Sequence, residues 1–292
     1  MSIDVLQEKI RKTKNPSMID FALKISDLPP HLLEDAGSAP AAYGRFCRDL
    51  LAALKGTVPA VRISFTAFAV LGAEGLNELR TVLSVASAAG FYVALEAPFV
   101  LSPMMAAATA DAVWGENALY PCDGLIVGAY PGSDIIKQFT PYVKEKKKDI
   151  FAVVRTSNKS APEIQDLLTG TRLVHAAAAD LVNRFGADNT GKFGYARVSA
   201  VAGANSAESL RNLRTKYPRL FLLVDDMDYS GCNAKICSNA FDKFGHGAVV
   251  CAGPTVTAAW QQTESGGADY QEQAVAAAER MRKNLTRYVT VL

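Results

Sequence analysis

Short runs of continuously apolar residues alternate with longer amphipathic stretches along the whole chain. The apolar runs fall at 18–24, 60–66, 91–96, 124–129, 150–155, 197–202, 220–225 and 247–251. Runs such as Phe151-Ala-Val-Val154 and Leu220-Phe-Leu-Leu-Val224 carry no polar alternation, as expected of strands buried on both faces of a parallel sheet. Between them, the apolar spacing predicts helices over 40–55, 74–89, 103–114, 133–147, 161–185, 207–217, 233–244 and 270–288. Ser133-Asp134 and Ser206-Ala-Glu-Ser209 supply helix starts. No linker or composition shift divides the chain, so residues 1–292 are expected to form one domain, a single (β/α)8 TIM barrel.

The composition adds bounds on function. The chain has 292 residues, is 49% hydrophobic and 21% charged, and can bury a large core. A formal net charge of +2 with interspersed signs argues against a nucleic-acid surface. The basic run Lys144–Lys148 reads as a solvated helix end. No stretch reaches the roughly 20 apolar residues of a membrane span, and Met1 to Lys9 do not resemble a secretory signal. Five scattered cysteines argue against a disulfide framework, so a cytoplasmic location with free thiols is expected. Cys232, Cys237, His246 and Cys251 lack zinc-site spacing, and His31 and His175 lack a nearby partner motif.

In such a barrel, the carboxyl ends of the strands carry function. The candidates there are Lys24, Arg62, Glu96, Arg155, Ser157, Asn158 and Asp225, which together would suit a small polar ligand. The plainer reading of Arg62 and Glu96 is a neutralising pair on adjacent strands. Asp225-Asp-Met-Asp228 reads as a solvated acidic loop, with a divalent cation as the alternative.

Several segments resemble the long-form bacterial orotidine 5′-monophosphate decarboxylases. They are Phe151-Ala-Val-Val-Arg-Thr-Ser-Asn-Lys-Ser160 with Gln165-Asp-Leu167, Gly191-Lys-Phe-Gly-Tyr-Ala-Arg-Val-Ser-Ala-Val-Ala-Gly-Ala204, Tyr130-Pro-Gly-Ser-Asp134 and Val58-Pro-Ala-Val-Arg62. The resemblance implies a cofactor-free barrel that makes uridine monophosphate and pairs into a homodimer through its mouth. It also implies an Asp-x-Lys-x-x-Asp motif after strand three, where this chain reads Glu96, Pro98 and Leu101. The family's strand-one aspartate matches Ala22, its strand-two lysine matches Arg62, and its glycine-rich phosphate loop matches Asp225-Asp-Met-Asp-Tyr-Ser-Gly-Cys232. Where the family carries its phosphate arginine after strand eight, this chain reads Cys251-Ala-Gly-Pro-Thr255. The expectation is therefore a family member without decarboxylase activity and with a binding or regulatory role. The alternatives are an active decarboxylase and a barrel retooled for another reaction.

Overall fold

The computed structural model describes residues 3–97, 100–228 and 231–292. Eight parallel strands close into a barrel: β1 (Ser17–Phe21), β2 (Ala60–Ser64), β3 (Tyr92–Glu96), β4 (Gly124–Gly128), β5 (Asp149–Arg155), β6 (Val198–Gly203), β7 (Leu222–Asp225) and β8 (Ala248–Ala252). Sequential strands are neighbours all the way round, and β8 pairs with β1. The continuous apolar runs correspond to these strands, because one face packs into the barrel and the other against helices. Eight longer helices are α1 (Ile3–Thr13), α2 (Ala39–Leu54), α3 (Gly72–Ala88), α4 (Pro103–Trp114), α5 (Ser133–Glu145), α6 (Val174–Gly186), α7 (Ala207–Lys216) and α8 (Tyr270–Thr286). No described helix is long and apolar enough to cross a membrane.

Local chemistry sets the helix starts. Ser38, Ser102 and Ser206 each accept a hydrogen bond from the backbone amide three residues on, satisfying a donor that the first helical turn leaves open. Prolines in the first turn of α2 and α4 suit positions that need no amide donor.

Three expectations need correction. The segment 161–185 is not one helix: a 3-10 turn (Ala161–Glu163) leads into a small hairpin (Leu168–Thr169 with Arg172–Leu173), and only then does α6 begin. Gly170 turns that hairpin with φ of +65°, a conformation that favours glycine. The segment 233–244 holds only a short helix, Ala234–Cys237, and a 3-10 turn, Ser238–Ala240. The first strand ends at Phe21, so Lys24 lies in the loop.

Helix α1, unanticipated from the sequence, covers the amino ends of the strands. Its buried Ile3, Leu6, Gln7 and Ile10 form one face, while Lys9 Nζ reaches the Gly90 carbonyl and Gln7 Oε1 accepts from Gly247 N at 3.1 Å. Beneath it, Tyr92 Oη donates to Asp149 Oδ2 at 2.7 Å. Burial pushes the Asp149 carboxyl up to about 8, with the Tyr92 hydrogen bond acting the other way.

The folded state thus keeps a proton that the unfolded chain releases above about pH 4, so this contribution is full at low pH and is lost as pH rises through about 8. Thermal melts should show wild type losing stability between about pH 5 and pH 9 relative to Asp149→Asn, whose amide oxygen still accepts from Tyr92. Melting curves that stay parallel across that range would contradict this assignment.

Candidate functional site

The mouth is organised by Arg62, which the β1–β2 register sets opposite Asp20. Its guanidinium donates from Nη2 to Asp20 Oδ2 at 2.6 Å and from Nη1 to Asp225 Oδ1 at 2.5 Å. One buried cation on β2 therefore ties β1 to β7. Burial disfavours the charge on Arg62, but neighbouring groups, Asp20 foremost and Asp225 among them, outweigh it and hold the guanidinium protonated. Asp20 Oδ1 and Arg62 Nε are buried with no hydrogen-bond partner among the described residues. The clamp is thus incompletely satisfied, a cost that buried polar groups rarely carry without reason.

Glu96 ends β3 opposite Ser64 and is half-buried. Arg62 forms its hydrogen-bonded pairs with Asp20 and Asp225, so the expected Arg62–Glu96 pair is corrected. Burial raises the Glu96 carboxyl, Arg62 opposes this, and Asp20 and Asp225 add to it. Burial likewise raises Asp225, with Arg62 opposing.

The acidic loop after β7 splits in three directions. Asp225 goes to Arg62, Asp226 accepts from Ser157 Oγ at 2.9 Å, and Asp228 accepts from the amides of Gly253 and Thr255. Asp226 adopts φ of +63°, in the left-handed region that non-glycine residues seldom occupy. Burial still leaves Asp228 raised, although both amides favour its charge. The solvated loop expected from the sequence is instead largely bonded into the rim. Among the described residues, no three His, Cys, Asp or Glu side chains gather as a metal-holding group.

Arg155 ends β5 and is equally committed. Its Nε and Nη2 form a bidentate pair with Asp166 at 3.1 and 3.0 Å, and Nη1 donates to Asn205 Oδ1 at 2.8 Å. The Arg155 bonds come first among the causes that hold the Asp166 carboxyl below the usual range. His175 does have partners: Nδ1 lies 3.0 Å from the Gln165 carbonyl and 3.1 Å from Asp166 Oδ1. A carbonyl can only accept, so Nδ1 carries the proton. Gly203 allows the Ser157 loop to settle over β6, since a Cβ there would meet the Thr156–Ser157 backbone at 2.8 Å.

Of the anticipated residues, Arg62, Glu96 and Asp225 converge, and Ser157 joins them through Asp226. Asn158 stays local, bonded with Thr156 and Ser160, and Lys24 is exposed beside a 3-10 turn. Pro98 lies outside the described residues, and Leu101 is exposed. Asp20 was missed; its signal was a lone carboxylate inside the apolar run Ser17-Met-Ile-Asp-Phe21. Around Arg62 the described mouth gathers Asp20, Glu96, Asp225, Asp226 and Asp228, an excess of negative charge.

The closed parallel barrel with polar strand ends at one mouth defines a (β/α)8 TIM-barrel protein. The orotidine 5′-phosphate decarboxylase of Rhodopirellula baltica is 30% identical over 293 residues, covering 96% of this chain and 97% of that protein. The Clostridium novyi enzyme of the same name is 24% identical, with 98% of each chain covered. The chain belongs to the orotidine 5′-phosphate decarboxylase family. No protein-family model matches the sequence. Among solved structures, a putative orotidine-monophosphate decarboxylase from Toxoplasma gondii superposes with a TM-score of 0.79 at 19% identity, covering 97% of this chain and 98% of that one. A putative orotidine 5′-phosphate decarboxylase from Streptomyces avermitilis gives 0.77 at 22%, covering 99% and 97%. At such identities these two likenesses speak to the fold alone.

Removing the Arg62 cation would leave the buried Asp20 and the half-buried Asp225 without their shared partner. Arg62→Met should cost roughly 3–5 kcal/mol in urea denaturation. Adding Asp20→Asn and Asp225→Asn should recover most of that loss. A single variant within about 0.5 kcal/mol of wild type would show that the clamp carries no such weight.

Proposed function

We propose that this chain is a decarboxylase-family barrel that no longer decarboxylates orotidine monophosphate and acts as a binding or regulatory protein within pyrimidine metabolism. The observation that carries the reading is the Asp20–Arg62–Asp225 clamp, with the chain's own carboxylates filling the mouth. Loss of carbon dioxide from the orotate ring leaves a carbanion at the ring carbon, which needs an adjacent cation to stabilise and protonate it. By resemblance the family's lysine position is Pro98, flanked by Glu96 and Leu101, and no lysine lies between Arg80 and Lys137. The Arg62 and Arg155 guanidiniums are already paired with carboxylates.

The same carboxylates bear on phosphate. Asp228 accepts the Gly253 and Thr255 amides after β8, in the stretch where the resemblance places the phosphate grip. A phosphate dianion there would compete with an internal anion and be repelled by Asp225 and Asp226. The whole-chain identity to named decarboxylases favours a second reading, an active enzyme with an unconventional site. It ranks lower because the proton donor and the phosphate grip would both have to come from elsewhere. A barrel retooled around Arg62, Glu96, Arg155 and Asp225 is the third reading.

A homodimer is part of the proposal. Exposed Val70, Leu101, Met104, Ile164 and Leu168 lie on segments that follow β2, β3 and β5, on the mouth side. Five free cysteines suit a reducing cytoplasm.

Purified protein mixed with orotidine monophosphate should show no loss of substrate absorbance above the uncatalysed background; turnover abolished by Arg62→Ala would overturn the reading. Light scattering should give the mass of a dimer, and Met104→Glu should shift it toward the monomer. A monomeric wild type would remove the dimer from the proposal.

A further inference from the structure

We propose that a cavity in the helix layer, between the start of α6 and the end of α7, binds a small molecule that carries a hydroxyl donor at one end and an anionic group at the other. The cavity has a volume of about 340 Å³. Ligand pockets typically span roughly 300–1,000 Å³, so a compact molecule fits. No residue of a barrel strand or of the loops after β7 and β8 lines it, which sets it apart from the mouth.

The sequence accounts for the hollow. Helix α6 opens with His175-Ala-Ala-Ala-Ala179, and at Ala176 only a methyl group reaches into the space beside α7. Across it, Leu213 and Tyr217 stand four residues apart, are buried, and form an apolar floor. Asn212, Thr215 and Lys216 make an exposed polar rim.

His175 turns this hollow into a site. It is only 5% exposed, yet it lines the cavity. Its Nδ1 carries the proton and is held by the Gln165 carbonyl and Asp166, so Nε2 is a bare acceptor. Nε2 makes no hydrogen bond with any described residue. An acceptor on a buried side chain is costly to leave without a donor, and a ligand hydroxyl would supply one. An anionic oxygen, having no proton to give, would not.

The anionic group belongs at the rim. Lys216 and Arg172 both pair with Asp180, at 3.1 and 2.8 Å, so two cations face one carboxylate and a positive charge is left over. Tyr217 Oη donates to the same carboxylate, which occupies it further. The Lys216 ammonium has three N–H donors, enough to hold Asp180 and a ligand anion together. The apolar floor favours a hydrocarbon body joining the two polar ends.

Calorimetric titration tests this with para-hydroxybenzoate and para-hydroxyphenylacetate, which set hydroxyl and carboxylate at two separations, and with para-hydroxyphenyl phosphate, which changes the anion. Phenylacetate lacks the hydroxyl and para-cresol lacks the charge, so these are the controls. At least one hydroxylated anion should bind with a sub-millimolar Kd, about tenfold or more tighter than either control, and the one that binds identifies the anionic group. His175→Asn keeps an amide donor near the Nδ1 position and removes Nε2; it should lose about tenfold in affinity, as should Lys216→Gln. Lys137→Gln, at an exposed cation on α5, should bind as wild type does. If His175→Asn melts well below wild type, the exposed Lys216 variant decides alone. The proposal is overturned if no hydroxylated anion outdoes both controls, or if either folded variant binds as wild type does. Orotidine monophosphate turnover plays no part in these titrations, so this site and the reading of the mouth stand or fall separately.

Discussion

The mouth depends on one buried guanidinium. Arg62 sits inside a ring of parallel strands that offers few uncharged ways to satisfy it, and it bonds carboxylates from β1 and β7 at once. Two bonds from one cation fix the separation of Asp20 and Asp225, and the surrounding carboxylates adjust to the result. Glu96 and Asp225 are raised by burial, while Asp226 and Asp228 find partners in a neighbouring hydroxyl and in backbone amides. Bonds to nearby donors favour the charged forms of Asp20, Asp225, Asp226 and Asp228, against burial, which favours the protonated form.

That arrangement underlies the proposed loss of nucleotide binding at the mouth. A pocket for an anionic ligand presents unpaired cations and free amides to it. Here the guanidiniums of Arg62 and Arg155 are each held by carboxylates, and the amides of Gly253 and Thr255 are taken by Asp228. Membership of the decarboxylase family and the proposed loss of decarboxylation are compatible, because a barrel is held together by its strand packing and does its chemistry with its loops.

The barrel itself was legible because strands buried on both faces must be apolar without alternation, and Phe151-Ala-Val-Val154 obeys that constraint. The two misread crossovers failed for different reasons. Helical spacing over 161–185 was real only from Val174 onward; before it, Gly170 forces a turn, and Gln165 folds back to bond Thr156. In 233–244 the apolar positions pack as a short helix and a 3-10 turn, a distinction that spacing alone does not carry over so few residues. At the site, Arg62 and Asp225 were visible as charges at strand ends, but their pairing was not, since it depends on the chord across a closed barrel. Asp20 was readable as a lone charge within an apolar strand, and His175 became meaningful only once the loop after β5 brought Asp166 beside it.

On the proposed reading, the internal clamp and its acidic surround exclude an anionic nucleotide from the mouth. Titration calorimetry of uridine monophosphate into the folded wild-type protein at moderate ionic strength addresses it most directly. No saturable binding is expected up to millimolar nucleotide; a saturable isotherm with micromolar affinity, lost when Arg62 is replaced, would show that the mouth still admits the nucleotide.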